Sequence, residues 1–221
     1  MSIVNRLVPI ALVAAVIFLV RAPFMIDSVS YESTMGLIQK IFYFHVPSAI
    51  ITFTSAFVCG IASVIFLVRR KPLADHFALA AAELAVVFGL IVLVTGPLWA
   101  RKAWGVWWQW EARLMMTLIM WMIFVAYLLL RRFGGAGAEV LAAAVGVFGM
   151  ALVPFVYWSV NVWRTLHPTT TVVISLPPDM MAVFGWCATG FLLLYFVLLV
   201  LRVRLEASRA ALENAYIELE D

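Results

Sequence analysis

The stretch FALAAAELAVVFGLIVLVTGPL, residues 77–98, runs for 22 residues with a single charge, Glu83. Crossing the hydrocarbon of a bilayer takes about 20 mainly apolar residues, so this stretch reads as a spanning helix. Similar runs fall at about 47–68, 114–130, 138–160 and 180–201, with a shorter one at about 4–20 that extends toward Ile26. The connections are short, and no internal repeat or soluble domain breaks the series. The expected fold is therefore an all-α integral membrane protein, one bundle of about six transmembrane helices over residues 1–201. The tail at 202–221, charged and rich in helix formers, reads as a short solvent-exposed helix.

Composition points the same way. Of 221 residues, 66% are hydrophobic and 12% charged, where a soluble domain carries about 25% charged residues. A net charge of +3 is too small to suggest a nucleic-acid partner. Cys59 and Cys187 both lie in apolar runs and form no C-x-x-C pair, which argues against a disulfide framework and against thiol–disulfide chemistry. The N-terminus has the charge and apolar length of a signal peptide. Arg21-Ala22-Pro23 makes a poor cleavage site, so the segment reads as a retained first helix.

Lys and Arg set the expected orientation. With the N-terminus inside, the inner segments carry Arg6, Arg69, Arg70, Lys71, Arg131, Arg132, Arg202, Arg204 and Arg209. The outer segments carry Arg21, Lys40, Arg101, Lys102, Arg113 and Arg164. Nine against six, with the inner charges clustered beside helix ends, puts both termini in the cytoplasm. Segments at about 21–46, 99–113 and 161–179 then face outward.

The unusual residues gather on that outer face. Five of the nine tryptophans fall within Trp99–Trp110, and Trp158 and Trp163 sit near the next outer segment. Indoles settle commonly at both membrane interfaces, yet the inner loops contain none. Read as a helix, residues 104–111 place Trp104, Trp107, Trp108 and Glu111 on one face, with Trp110 at its edge and Arg113 pointing away. Such a stripe offers a rigid stacking platform for a large planar ligand: a haem, a quinone or a lipid.

Two histidines share this face. His45, in Ile41-Phe42-Tyr43-Phe44-His45-Val46-Pro47-Ser48-Ala49, is expected just ahead of the second span, with Pro47 in its first turn. His167 precedes Pro168, which disfavours helical geometry and places it in a loop. A lone loop histidine is usually solvated, but neutral imidazole is a standard axial ligand, and two complete a six-coordinate haem iron. His76, on the inner side, has no aromatic company and no assigned role. Lys40, Arg101, Lys102, Arg113 and Arg164 are the outer cations able to meet haem propionates or to snorkel to lipid phosphates. Glu83 lies about six residues into the third span; it reads as a buried hydrogen-bonding group without a basic partner at its depth. The chain has no phosphate loop, so an ATP-driven step would fall to another subunit. It also has no C-x-x-C-H motif, so haem would not be held covalently as in a c-type cytochrome.

Trp104-Gly105-Val106-Trp107-Trp108-Gln109-Trp110-Glu111-Ala112-Arg113-Leu114 closely resembles WGxWWxWDARL, the signature of the WWD-domain haem-handling membrane proteins of cytochrome c maturation. Thr95-Gly96-Pro97-Leu98-Trp99 also fits that pattern. Residues 40–49 and 159–167 resemble the two haem-ligand segments of the CcmC branch, and the three motifs keep that family's order over about residues 40–201. The resemblance implies His45 and His167 as axial ligands of a transiently, non-covalently bound haem b. It implies a platform of Trp104, Gly105, Trp107, Trp108 and Trp110, Arg113 as support for the loop or the transfer complex, and Lys40 near a propionate. Glu111 stands where the motif has aspartate, one methylene longer. The implied function is to hold haem at the periplasmic face of a bacterial inner membrane and present it to the haem chaperone CcmE. The implied neighbours are the ABC transporter subunits CcmA and CcmB and the small subunit CcmD, and the implied role is a scaffold more than a conventional enzyme. A bis-histidine b-type electron-transfer subunit and a transmembrane subunit of a haem or solute transporter are the rival readings.

Overall fold

Inside hydrocarbon, backbone N–H and C=O groups must be satisfied within their own segment, which leaves helices as the natural answer for a single chain of this composition. The computed structural model describes residues 3–30 and 36–220. Its helices are α1 (Ile3–Ser28), a 3-10 turn (Leu37–Ile41), α2 (Phe42–Arg69), α3 (Pro72–Trp104), α4 (Ala112–Phe133), α5 (Ala138–Val162) and α6 (Pro178–Glu220). Six of them are long and apolar enough to cross a membrane, and the described residues contain no strand. The chain is a multi-pass membrane protein.

The helices overrun the apolar windows from which they were expected. The first span, expected over about 4–20 with an extension toward Ile26, reaches Ser28. The tail is helical as expected, and α6 runs into it without a break from the sixth span to Glu220. Charged residues stop a hydropathy window, but they do not stop a helix whose backbone bonds continue. Residues 31–35 of the outer segment expected at 21–46 lie outside the described residues, as do residues 1, 2 and 221 of the expected bundle and tail.

Helix α2 packs against α3, α5 and α6; α1 lies along α6, and α4 contacts α3 and α5. Lipid is as apolar as the helices, so close packing of small side chains has to hold them together. Ala56, Cys59 and Ala62 of α2 meet Ala78, Ala81, Ala82 and Ala85 of α3 in the core. On the other flank a Cβ added at Gly60 would stand 2.3 Å from Met150 Cβ, and one at Gly146 would stand 2.7 Å from Ser63 Oγ. A larger residue at Gly60 would therefore strike the Met150 side chain at its root, and one at Gly146 would displace the Ser63 side chain. Both cysteines are buried and unpaired.

One end of the bundle is tied by ions. Arg131 donates to both carboxylate oxygens of Asp75, at 2.7 and 2.8 Å. Glu83 does have a basic partner, contrary to the sequence expectation. Arg202 grips its carboxylate through two nitrogens and also bonds Glu206. The expectation failed because α3 begins at Pro72, which puts Glu83 twelve residues in, and because Arg202 sits on an unbroken α6 rather than in a tail.

Candidate functional site

At the other end of the bundle, the start of α2, the end of α3, the start of α4 and the stretch 163–177 surround a narrow cleft. Its walls include His45, Trp99, Trp104, Trp107, Trp108, Glu111, Arg113 and His167. A second hollow shares His45, Ala49, Phe53, Trp99, Arg113 and His167 with the first and continues past Tyr157, Val160 and Val173.

His45 lies inside α2 as its fourth residue, not ahead of the span, and is buried. The 3-10 turn hands directly into α2, so the helix is already formed when it reaches Pro47. The missing proline N–H costs the bond to the carbonyl four residues back, at Tyr43. The imidazole Nδ1 is 2.8 Å from Thr95 Oγ1 on α3, and the edge of Trp99 meets the ring at 5.9 Å and 83°. The opposite ring nitrogen, Nε2, is left for the cleft.

His167 sits in the irregular stretch between α5 and α6, as Pro168 demands. Its backbone N–H donates to Thr165 Oγ1 at 2.9 Å, and its Nδ1–H donates to the Pro168 carbonyl at 2.8 Å. A carbonyl can only accept, so Nδ1 carries the proton and Nε2 keeps a lone pair. Burial, reinforced by the charge of Arg113, holds the imidazole pKa down at about 4, while the Pro168 bond and the Glu111 charge oppose the shift. The ring is therefore neutral at physiological pH, the form that binds metals.

The tryptophan motif is not the helical stripe its spacing suggests. Helix α3 ends at Trp104 because Gly105 takes a left-handed conformation with φ 78°, a common glycine stop. The Arg101 guanidinium donates to the Gly105 carbonyl and pins this cap. Residues 106–111 then run without helix to Glu111, which precedes α4. Trp104 stacks on Trp99 at 6.5 Å and 16°, while Trp107 and Trp108 reach the cleft from the loop. Trp110 does not: it is 76% exposed and lines a shallow outer hollow with Leu93, Pro97 and Leu118.

The charged residues divide. Arg113 does not point away; it lines the cleft and donates to the carbonyls of Val156 and Tyr157 at 2.8 and 3.0 Å. With Gly105 ending the helix, the register that turned Arg113 outward no longer applies. Glu111 accepts the Leu166 N–H at 2.9 Å, one residue before His167. Lys40 pairs with Asp27 at 3.0 Å and is not among the residues that line the cleft. Two contributors, Thr95 and Trp99, belong to the stretch that fits the family pattern but carried no assigned role in the sequence. Their signal was available as a hydroxyl inside an apolar span and a tryptophan one turn later, but Thr95 meets His45 across 50 residues.

Two imidazoles are too few to hold a bare ion, and the described residues contain no group of three or more His, Cys, Asp or Glu placed to do so. A porphyrin brings four nitrogens of its own, and two axial imidazoles complete such a centre. The cleft fits this ligand in three ways. Its walls carry the indoles of Trp99, Trp104, Trp107 and Trp108, both histidines have Nδ1 engaged, and the Nε1 atoms of Trp99 and Trp108 are buried without partners. Unpartnered indole N–H groups are the donors that a buried carboxylate tail would use.

Comparison with known proteins agrees with the motifs. Residues 1–217 match the model of the family described as CcmC, "Heme exporter protein C". The protein of that name from Escherichia coli K12 is 34% identical over 176 residues, which cover 76% of this chain and 70% of the relative. The one from Bradyrhizobium diazoefficiens is 32% identical over 215 residues, 95% of this chain and 82% of the relative. The one from Paracoccus denitrificans is 30% identical over 184 residues, 80% of this chain and 76% of the relative. With a match along nearly its whole length, this chain belongs to the CcmC family of heme exporter C proteins.

Proposed function

We propose that this protein handles haem in cytochrome c maturation, holding haem b non-covalently between His45 and His167 at the periplasmic face of a bacterial inner membrane. Membership of the family supports the haem-handling role. The observation that carries the site is that the two histidines share one indole-lined cleft, each with Nδ1 committed to a hydrogen bond. The group supplies an iron with two axial positions and two propionates. The chain supplies the rest. His45 and His167 offer Nε2 lone pairs, Trp104, Trp107 and Trp108 give stacking surface and exclude water, and Arg113 is the one cation of the cleft wall among the described residues. Glu111 holds the loop that carries His167.

Presentation follows from the same arrangement. Trp107, 57% exposed, and the loop around it form the outer rim, where a partner would approach. The proposed receiver is the haem chaperone CcmE, with CcmA, CcmB and CcmD as complex partners that supply any ATP-driven step. The basic residues at the ion-paired end support a cytoplasmic position for both termini.

An absorption spectrum of protein purified from haem-replete cells tests the proposal. Wild type should show the Soret band of a six-coordinate haem. Replacing either histidine, His45→Ala or His167→Ala, should weaken retention by more than the 10–100-fold typical of losing an outer-shell partner. Wild-type haem content in both variants would sink the site.

A further inference from the structure

We propose that Thr95 is a positioning residue that dictates which nitrogen of His45 carries the proton; this rests on reading His45 as an axial ligand. A neutral imidazole has one N–H and one lone pair, and only the lone pair binds iron. His45 is buried on α2, and its Nδ1 lies 2.8 Å from Thr95 Oγ1. That distance alone leaves open which atom donates. Thr95 decides it through a second bond, 2.6 Å from Oγ1 to the Ile91 carbonyl. Two oxygens so close need a proton between them, a carbonyl has none, and threonine has a single hydroxyl hydrogen. That hydrogen is therefore spent on Ile91, and Oγ1 faces His45 as an acceptor. Nδ1 must carry the imidazole proton, which leaves Nε2 bare toward the cleft.

The consequence is a matched pair. His167 is held in the same tautomer by the Pro168 carbonyl, so both ligands present Nε2 before any haem arrives. A rigid backbone carbonyl fixes one, and a hydroxyl anchored on its own helix fixes the other. Trp99 limits the tilt of the His45 ring from a second side. Outer-shell hydrogen bonds of this kind orient a ligating histidine and raise its basicity, and losing one typically costs 10–100-fold in metal affinity.

The test uses the full-length protein in detergent, labelled with 15N-histidine, without haem and then during haem titration. Long-range 15N–1H spectra read the tautomer directly. Wild type and Thr95→Ser should show His45 protonated at Nδ1. Thr95→Val, similar in shape but without the hydroxyl, should move the proton to Nε2 or leave a mixture. Haem affinity should then fall 10–100-fold in Thr95→Val and recover in Thr95→Ser. An unchanged Nδ1–H tautomer in Thr95→Val overturns the proposal, as does a shifted tautomer with unchanged haem affinity. His45→Ala separates the two levels of inference: haem affinity that does not move there removes the axial reading itself, whatever the tautomer of Thr95→Val.

Discussion

The two ends of the bundle solve opposite problems. Where α3 begins and α6 runs on, carboxylates meet guanidinium groups and close the structure: Asp75 with Arg131, and Glu83 with Arg202, which also holds Glu206. At the other end, His45, His167 and Arg113 spend their hydrogen bonds on the protein's own backbone and hydroxyls, and the indole N–H groups of Trp99 and Trp108 are left over. One end spends its carboxylates and guanidinium groups in holding helices together, although His76 Nδ1 beside them is left without a partner. On the proposed function, the other leaves donors for a ligand to meet. Mutations should therefore separate cleanly, with stability lost at the ionic end and ligand chemistry lost at the aromatic end.

The largest contrast should appear in titration. His167 takes up its proton at about pH 4, against about 6.5 for a free imidazole. Between those values the unfolded chain binds a proton that the folded chain refuses. Stability therefore rises with pH across the window and falls as pH drops from 6.5 toward 4. In the haem-free protein, 15N chemical shifts of His167 should stay those of neutral imidazole down to about pH 5. A midpoint near 6.5 would mean that the site end is wetter and less enclosed than described.

Next comes the ionic end. The Asp75 and Arg131 side chains are 13% and 19% exposed, so removing one partner strands a charge that water reaches only in part. Asp75→Ala should destabilise the bundle by about 2 kcal/mol, seen as a lower thermal midpoint in detergent, with the haem spectrum unchanged. A spectral change at equal stability would show that the two ends are coupled.

How far this division could be read from sequence depends on the range of each interaction. The spans were legible because about 20 apolar residues in a row have few other uses, and the histidines were legible because orientation put them on one face with the tryptophans. The helical stripe over 104–111 was a spacing coincidence. Arg101 and Lys102 followed by Gly105 were the stop signal that outweighed it. Thr95 and the Glu83–Arg202 pair were not legible, since each depends on how two helices pack, with partners 50 and 119 residues apart. Local pattern carries no term for that. The motif marked Glu111 as noteworthy, but only the fold shows that its carboxylate holds the Leu166 N–H.

That bond sharpens the comparison on the site side. A hydrogen bond to a charged acceptor is worth about 1.5–3 kcal/mol, and Glu111→Ala should speed exchange of the Leu166 amide about tenfold, since 1.4 kcal/mol is a factor of ten. Glu111→Gln retains an acceptor oxygen and should recover most of the protection. Fast exchange in wild type would remove Glu111 from its role beside His167.

The smallest effect should separate two tryptophans that the motif treats alike. Trp107 lines the cleft and Trp110 does not, although both are largely exposed. Trp107→Ala removes stacking surface worth about 0.5–1.5 kcal/mol beyond its buried area, so haem should bind about tenfold more weakly in a direct titration. Trp110→Ala should leave haem affinity within about twofold, because its ring touches the outer hollow and the edge of Trp108 at 6.0 Å. A role for Trp110 would then show in transfer to the receiving partner rather than in retention. Equal losses of affinity in the two variants would mean that the loop closes over haem and draws Trp110 inward, making the platform one that forms around its ligand.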